Sequence, residues 1–193
     1  MYAIVKDGAI TATGNIKQLF PNTSFAGGVA NADFKTAEGV KDVVQGEQKD
    51  QRYYFVTQGD ITLVDGVPIQ QYTNTAKRLN DEDAKDDDGN QLYVQVWDED
   101  KKKMVDSSEK LVNQGLKTVM TAQVKDTANK LLAKTDWMVI RKAERDVAIP
   151  SGTATYRAAV ITECARLETA ITNASDVDAL ATVMAGQNWP QED

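Results

Sequence analysis

Apolar and polar residues follow two different periods along this chain, and the change falls near residue 106. Ahead of it the period is two. Tyr2 and Ile4, then Asp7-Gly8, then Ile10 and Thr11 predict a β-hairpin. Asp-Gly is favoured in a two-residue loop because the tight turn needs positive φ at both central positions. The pattern recurs at Ile61 to Val64 with Asp65-Gly66 and Val67, where Pro68 marks an edge or a strand end. It recurs at Asp88-Gly89 ahead of Leu92 to Trp97. Arg52 to Thr57 and Val40 to Val44 add further β-forming runs, for about six or seven short strands between residues 2 and 105.

Asn15 to Gly28 fits neither period. Ile16, Leu19 and Phe20 suggest one helical turn, while Pro21 and Gly27-Gly28 favour a long loop. Leu19, Phe20 and Phe25 are either tucked over the sheet or presented to a neighbouring subunit as an apolar docking loop.

From Asp106 onward apolar residues return every three or four positions. Asp106 with Glu109 fits a capping box. Val112, Leu116, Val119, Gln123, Thr127 or Ala128, and Leu131 then draw a helical stripe, flanked by Leu111, Met120, Val124 and Leu132. A helix of roughly 25 residues would be a rod of about 37 Å, long enough to project or to need other helices. Asp136 can cap a short helix from Trp137 to Arg145. Pro150-Ser151 restarts the chain into a third helix with Tyr156, Val160, Cys164, Leu167 and Ile171 on one face, and Arg157, Glu163, Arg166 and Glu168 outside it. Ser175 can cap a last helix, Asp176 to Ala185, with Val177, Leu180 and Val183 or Met184 inward. The expected class is α+β: a β-hairpin-rich domain over residues 1–105, then an antiparallel helical domain with one long helix over residues 106–193.

Composition narrows the chemistry. A chain of 193 residues is long enough for one large or two small cores. No run approaches the ~20 apolar residues of a membrane helix, and the Met1 to Gly8 start is charged too early for a secretory signal. There is no histidine, which removes Ser-His and Cys-His triads and nearly all transition-metal sites. Cys164, the one cysteine, excludes an internal disulfide and reads as a small buried hydrophobe. The net charge of −7 disfavours nucleic acid as a partner.

Three acidic or glycine-rich features invite chemistry. Asp81, Glu82, Asp83, Asp86, Asp87 and Asp88 suggest calcium, but with Gly89 central the first EF-hand ligand falls on Ala84 and the bidentate position on Gln95, so the pattern fails at both ends. The loop from residue 80 to 90 then reads as a solvated turn, with a weak cation site as the alternative. Asp98-Glu99-Asp100 followed by Lys101-Lys102-Lys103 reads as a surface turn. A glycosidase would need two acids about 5–10 Å apart in a cleft, whereas here the acids lie in loops and on polar helix faces. Gly27-Gly28 makes neither a phosphate loop nor a dinucleotide fingerprint. No catalytic, cofactor or metal residue is expected. Trp137 and Trp189 are candidate helix anchors, and Trp189 is a candidate partner contact together with Leu19, Phe20 and Phe25.

The ordered set Lys130-Leu131-Leu132-Ala133-Lys134-Thr135-Asp136-Trp137, then Ile149-Pro150, then Tyr156-Arg157-Ala158-Ala159, then Asn188-Trp189-Pro190 carries a resemblance. Over roughly its last third the chain resembles the tail-fibre assembly proteins of tailed bacteriophages and related phage tail proteins. The resemblance implies a non-enzymatic virion protein of the tail, an adaptor or attachment subunit at the tail fibre or baseplate, made in the host cytoplasm. Its partners would be other tail proteins in a homo- or hetero-oligomer, with no cofactor, nucleic acid or membrane span. The alternatives are an assembly chaperone that leaves the particle, and a carbohydrate-binding or depolymerising tail accessory.

Overall fold

The computed structural model describes residues 1–191 and has an α+β fold. It divides into two compact units, Met1–Ala76 and the chain from Lys77 onward. This division lies well ahead of the expected one at residue 106, because residues 78 to 81 are bonded to the first helix of the second unit, as described below.

In the first unit β1 (Tyr2–Lys6) and β2 (Ala9–Gly14) form the expected hairpin, with Asp7 at φ 50° and Gly8 at φ 75°. β3 (Val40–Asp42) pairs with the other side of β1, giving the order β2-β1-β3. The link between β2 and β3 is more ordered than a loop. α1 (Ile16–Leu19) starts with a reciprocal capping box between Asn15 and Gln18. A 3-10 turn (Ala26–Gly28) follows, and then α2 (Ala32–Glu38), capped by Asn31 at one end and by left-handed Gly39 at the other.

A second sheet has the order β4-β6-β5, from β4 (Val44–Gln45), β5 (Tyr54–Val64) and β6 (Val67–Ala76). The β5–β6 hairpin turns at Asp65-Gly66, again with positive φ at both residues. Pro68 is the second residue of β6 and is fully buried, so its missing N–H costs little at a strand start. Between Gln58 and Ile61 one extra residue bulges β5. Buried Gln70 fills that bulge, donating its amide to the Gly59 carbonyl at 2.5 Å and accepting from the Gln58 amide at 2.8 Å.

In the second unit the Asp88-Gly89 turn is closed by a bridge between Lys85 and Gln91. β7 (Glu82–Asp83) pairs with β10 (Val112–Asn113), and β8 (Tyr93–Asp98) pairs with β9 (Lys103–Lys110), all antiparallel. β9 overturns the expected helix start at Asp106. The Asp106 carboxylate accepts from the Gln95 amide across the hairpin, and Glu109 donates its backbone N–H to the Ser107 hydroxyl, so no capping box forms. Pairing with β8 outweighs a local signal that a three-residue spacing alone had supplied.

α3 (Leu116–Ala133) begins only after Gly115 and is shorter than the expected rod. Its buried stripe is Leu116, Met120, Val124 and Ala128, while Val119 is exposed, so the inward face is turned toward the residues that had been read as flanking. α4 (Asp136–Arg145), α5 (Ser151–Asn173) and α6 (Val177–Ala185) follow at the expected places. α5 is therefore the long helix, and it packs on both α3 and α6. Its buried face is Tyr156, Val160, Glu163, Leu167 and Ile171, and α6 adds Val177, Leu180 and Met184. Cys164 is only partly buried. Asp176, not Ser175, caps α6 by accepting from the Ala179 N–H at 2.8 Å. Among the described residues no helix is long and apolar enough to cross a membrane.

The start of α3 has no cap of its own, since Gly115 has no side chain. A Cβ there would lie 2.4 Å from the Asn80 carbonyl carbon, so only glycine permits this approach of two backbones. The Arg78 and Leu79 carbonyls accept from the Leu116 and Lys117 N–H groups at 2.9 and 3.0 Å. The Asp81 carboxylate accepts from the Gly115 N–H at 2.7 Å and from the Thr118 hydroxyl at 2.9 Å. These bonds, the Gly115 N–H first, hold the Asp81 carboxyl below its ordinary value of 3.8. A depressed native pKa contributes stability that is present above the ordinary value and is lost as pH falls through the native one. Thermal unfolding of the wild type against Asp81→Asn should therefore show the variant melting lower at pH 7, with the gap closing below about pH 4. A gap that does not change with pH would exclude this role.

Candidate functional site

The residues that carry the resemblance meet in one place in the second unit. α3 ends in Leu131 and Leu132, and Thr135 and Asp136 open α4. Arg157, the seventh residue of α5 and next to Tyr156, reaches back to this joint. Its Nη1 donates to the Leu132 carbonyl at 2.9 Å and to the Thr135 hydroxyl at 2.7 Å, and forms an ion pair with the Asp136 carboxylate at 2.9 Å. Thr135 is nearly inaccessible and also donates its hydroxyl to the Leu132 carbonyl. A cation thus closes the C-terminal end of one helix, where unpaired carbonyls gather, and anchors the first residue of the next.

Beside this joint Ala128, Tyr156 and Val160 form a small core, with Leu131, Leu132, Cys164 and Trp189 packed against it. The Trp189 indole N–H donates to the Gln187 amide oxygen at 2.8 Å. The segment leading to Trp189 is held by Glu163, which the helical stripe had placed on the outside. Glu163 is 8% exposed, pairs with the Arg166 Nε and Nη2 at 2.7 Å each, and accepts from the Asn188 N–H at 2.8 Å. Arg166 also donates to the Gly186 carbonyl at 3.0 Å. The Arg166 guanidinium, ahead of the opposing effect of burial, keeps the Glu163 carboxyl below its usual range. A groove of about 590 Å³ borders this core, lined by Pro150, Ser151, Gly152, Thr153, Tyr156 and Pro190 among others.

α4 differs from α3, α5 and α6, for it buries none of its residues. Trp137 and Ile140 share one side of it and are 53% and 56% exposed, and the Arg141 guanidinium lies 4.8 Å from the centre of the Trp137 ring.

The four candidate contact residues are divided between the two units. Leu19, Phe20 and Phe25 belong to the first unit and Trp189 to the second. Phe20 and Phe25 each meet Phe34 of α2 edge to face at 4.9 Å, and all three rings pack against the core of Ile16, Ala30 and Val40. Leu19 is half-buried at the end of α1. Trp189 packs inward as described. These rings stabilise their own units, whereas Trp137, a candidate anchor by its sequence, is exposed, as are Phe55 and Trp97.

The acidic segment is spent on local structure. Asp81 caps α3, Asp83 pairs with Lys110, Glu82 pairs with Arg78, and Asp86 accepts from Asp88 and Asn90 to close the turn at Gly89. Asp98 likewise bonds Lys101 within the β8–β9 turn. Among the described residues no three His, Cys, Asp or Glu side chains are grouped to hold a metal ion. Every carboxyl with a resolved shift is pushed down by hydrogen bonds, the direction opposite to that of a general acid. The Cys164 thiol is pushed up by burial and then by its hydrogen bond to Glu168.

No protein-family model, curated protein or solved structure matches this chain.

Proposed function

We propose that this chain is a non-enzymatic structural protein of a bacteriophage tail, an adaptor or attachment subunit retained in the particle at the tail fibre or the baseplate. The observation that carries the reading is the joint around Arg157. Leu131, Leu132, Thr135, Asp136, Tyr156, Arg157 and Trp189, which lie far apart in sequence, form one hydrogen-bonded and packed group. Residues that resemble those of tail-fibre assembly proteins are thus the parts of a single device, one that fixes the direction in which α4 leaves the helical unit. Its exposed Trp137 and Ile140 offer the surface on which a neighbouring tail protein would sit. The downward-shifted carboxyls and the absence of histidine from the sequence support a role in contacts over one in catalysis.

Mass spectrometry of purified particles, with copies of this chain counted against the major capsid protein, tests the proposal. A fixed copy number that is a multiple of three, as tail symmetry requires, is the expected result. Absence from particles, combined with defective fibres when the gene is deleted, would replace it with a departing assembly chaperone.

A further inference from the structure

Among the described residues the longest strand stands at the edge of its sheet. β5 runs for 11 residues, about 36 Å at 3.3 Å each, and among the described residues it pairs with β6 alone. Edge strands of this length are usually blunted by lysines, prolines or a covering element. From Tyr54 to Val64 there is no lysine and no proline, and Asp60 is the one charged residue. Thr57, Gln58, Gly59, Asp60, Thr62 and Val64 are all exposed. The bulge at Gly59 and Asp60 and the charge of Asp60 blunt the strand from within, β2 approaches it, and Gln70 holds the bulge in a fixed shape.

The chemistry of an open edge specifies an extended strand as its occupant. The bulge specifies which strand. Because of the extra residue, Val56, Ile61 and Leu63 are partly buried on one face while Thr57, Thr62 and Val64 are exposed on the other. Consider β5 laid antiparallel on a second β5 so that Thr57 faces Thr62 of the second copy. Val56 then faces Leu63 on the partly buried side, and the two bulges lie opposite each other. Asp60 falls against Gly59 of the second copy and not against its own duplicate. The two faces of the sheet stay in register on both sides of the twofold axis. A chain of net charge −7 repels its copies over most of its surface, and this edge brings no two like charges into direct opposition.

We propose that β5 is a self-association edge, where two copies of this chain join their three-stranded sheets into one through an antiparallel β5–β5 pair in this register. The proposal is independent of the tail-protein reading, since any isologous dimer would serve.

Sedimentation equilibrium of the full chain, from about 1 to 100 µM, a range wide enough to reveal micromolar affinities, tests it together with two double variants. The wild type should show a concentration-dependent dimer. Thr57→Lys with Thr62→Lys places like charges opposite each other twice and should weaken the dimer several-fold, up to about tenfold. Thr57→Lys with Thr62→Glu substitutes the same exposed positions but sets opposite charges face to face, and should restore it. Circular dichroism of both variants confirms that the fold is kept. A wild type that stays monomeric throughout, or a dimer that responds equally to both variants, overturns the proposal.

Discussion

Truncating Leu167 to alanine should destabilise the second unit by about 2–5 kcal/mol, the usual cost of removing a fully buried leucine side chain from a core that cannot collapse around the loss. Leu167 has no exposed surface and lies on α5, the helix that packs on both α3 and α6. A cavity there weakens both contacts at once. The measurement is urea unfolding followed by the helical signal at 222 nm. The midpoint should fall while the slope with denaturant stays the same, since the surface exposed on unfolding is nearly unchanged. A midpoint within error of the parent would mean that α5 is not the axis of this unit.

The second large effect is expected at Arg157. Its side chain is 17% exposed and one nitrogen serves a carbonyl, a hydroxyl and a carboxylate. Hydrogen bonds to charged groups are worth about 1.5–3 kcal/mol, and the Leu132 carbonyl keeps its bonds from the Thr135 N–H and hydroxyl when the guanidinium is lost. Arg157→Ala should therefore cost about 2–3 kcal/mol by the same denaturation assay. Arg157→Lys should recover only part of it, because an ammonium lacks the rigid guanidinium fork. A structural role for α4 adds a second readout. Loss of the joint should alter the near-ultraviolet dichroism of Trp137 and Trp189, whereas a purely global destabilisation would leave the folded-state spectrum as it was.

Much of the fold was legible because its determinants are local. The Asp7-Gly8 and Asp65-Gly66 turns were readable from two residues each, since positive φ at consecutive positions admits few alternatives, and at Asp88-Gly89 the glycine alone takes positive φ. The inward faces of α5 and α6 were readable from apolar residues spaced by three and four. What was not legible depends on residues distant in sequence. The Asp106-Glu109 spacing resembles a helix start, yet β8 pairs with that segment and makes it a strand. The true start of α3 is capped by Asp81, and no local pattern points there. Glu163 looks like a surface residue because its partners include the Asn188 backbone and not only nearby Arg166. α2 offered an Asn31 cap and a Gly39 terminator, but seven residues with one large apolar side chain, Phe34, made too faint a period.

The candidate site divides in the same way. The resemblance picked out Thr135-Asp136-Trp137, Tyr156-Arg157 and Trp189 as separate fragments, and it took the tertiary structure to join them at Arg157. The inward turn of Phe20, Phe25 and Trp189 was hidden for a related reason. Aromatic residues beside prolines and glycines read as exposed until the core that receives them is known, and here Phe34 of α2 receives two of them.

The remote cap on α3 also governs the order in which the second unit can form. A helix is hard to start, because the first turn fixes several residues for one hydrogen bond. In α3 that first turn gains its stabilising acceptor only when Asp81, 34 positions earlier, has been brought back to Gly115. Closing a loop of that size carries an entropy cost that must be met before the helix start benefits. α5 and α6, whose contacts are nearer in sequence, can assemble first, and α3 completes its amino end only after the strands from β7 to β10 have folded back. A fragment cut at residue 106 would keep all four helices and still begin α3 frayed.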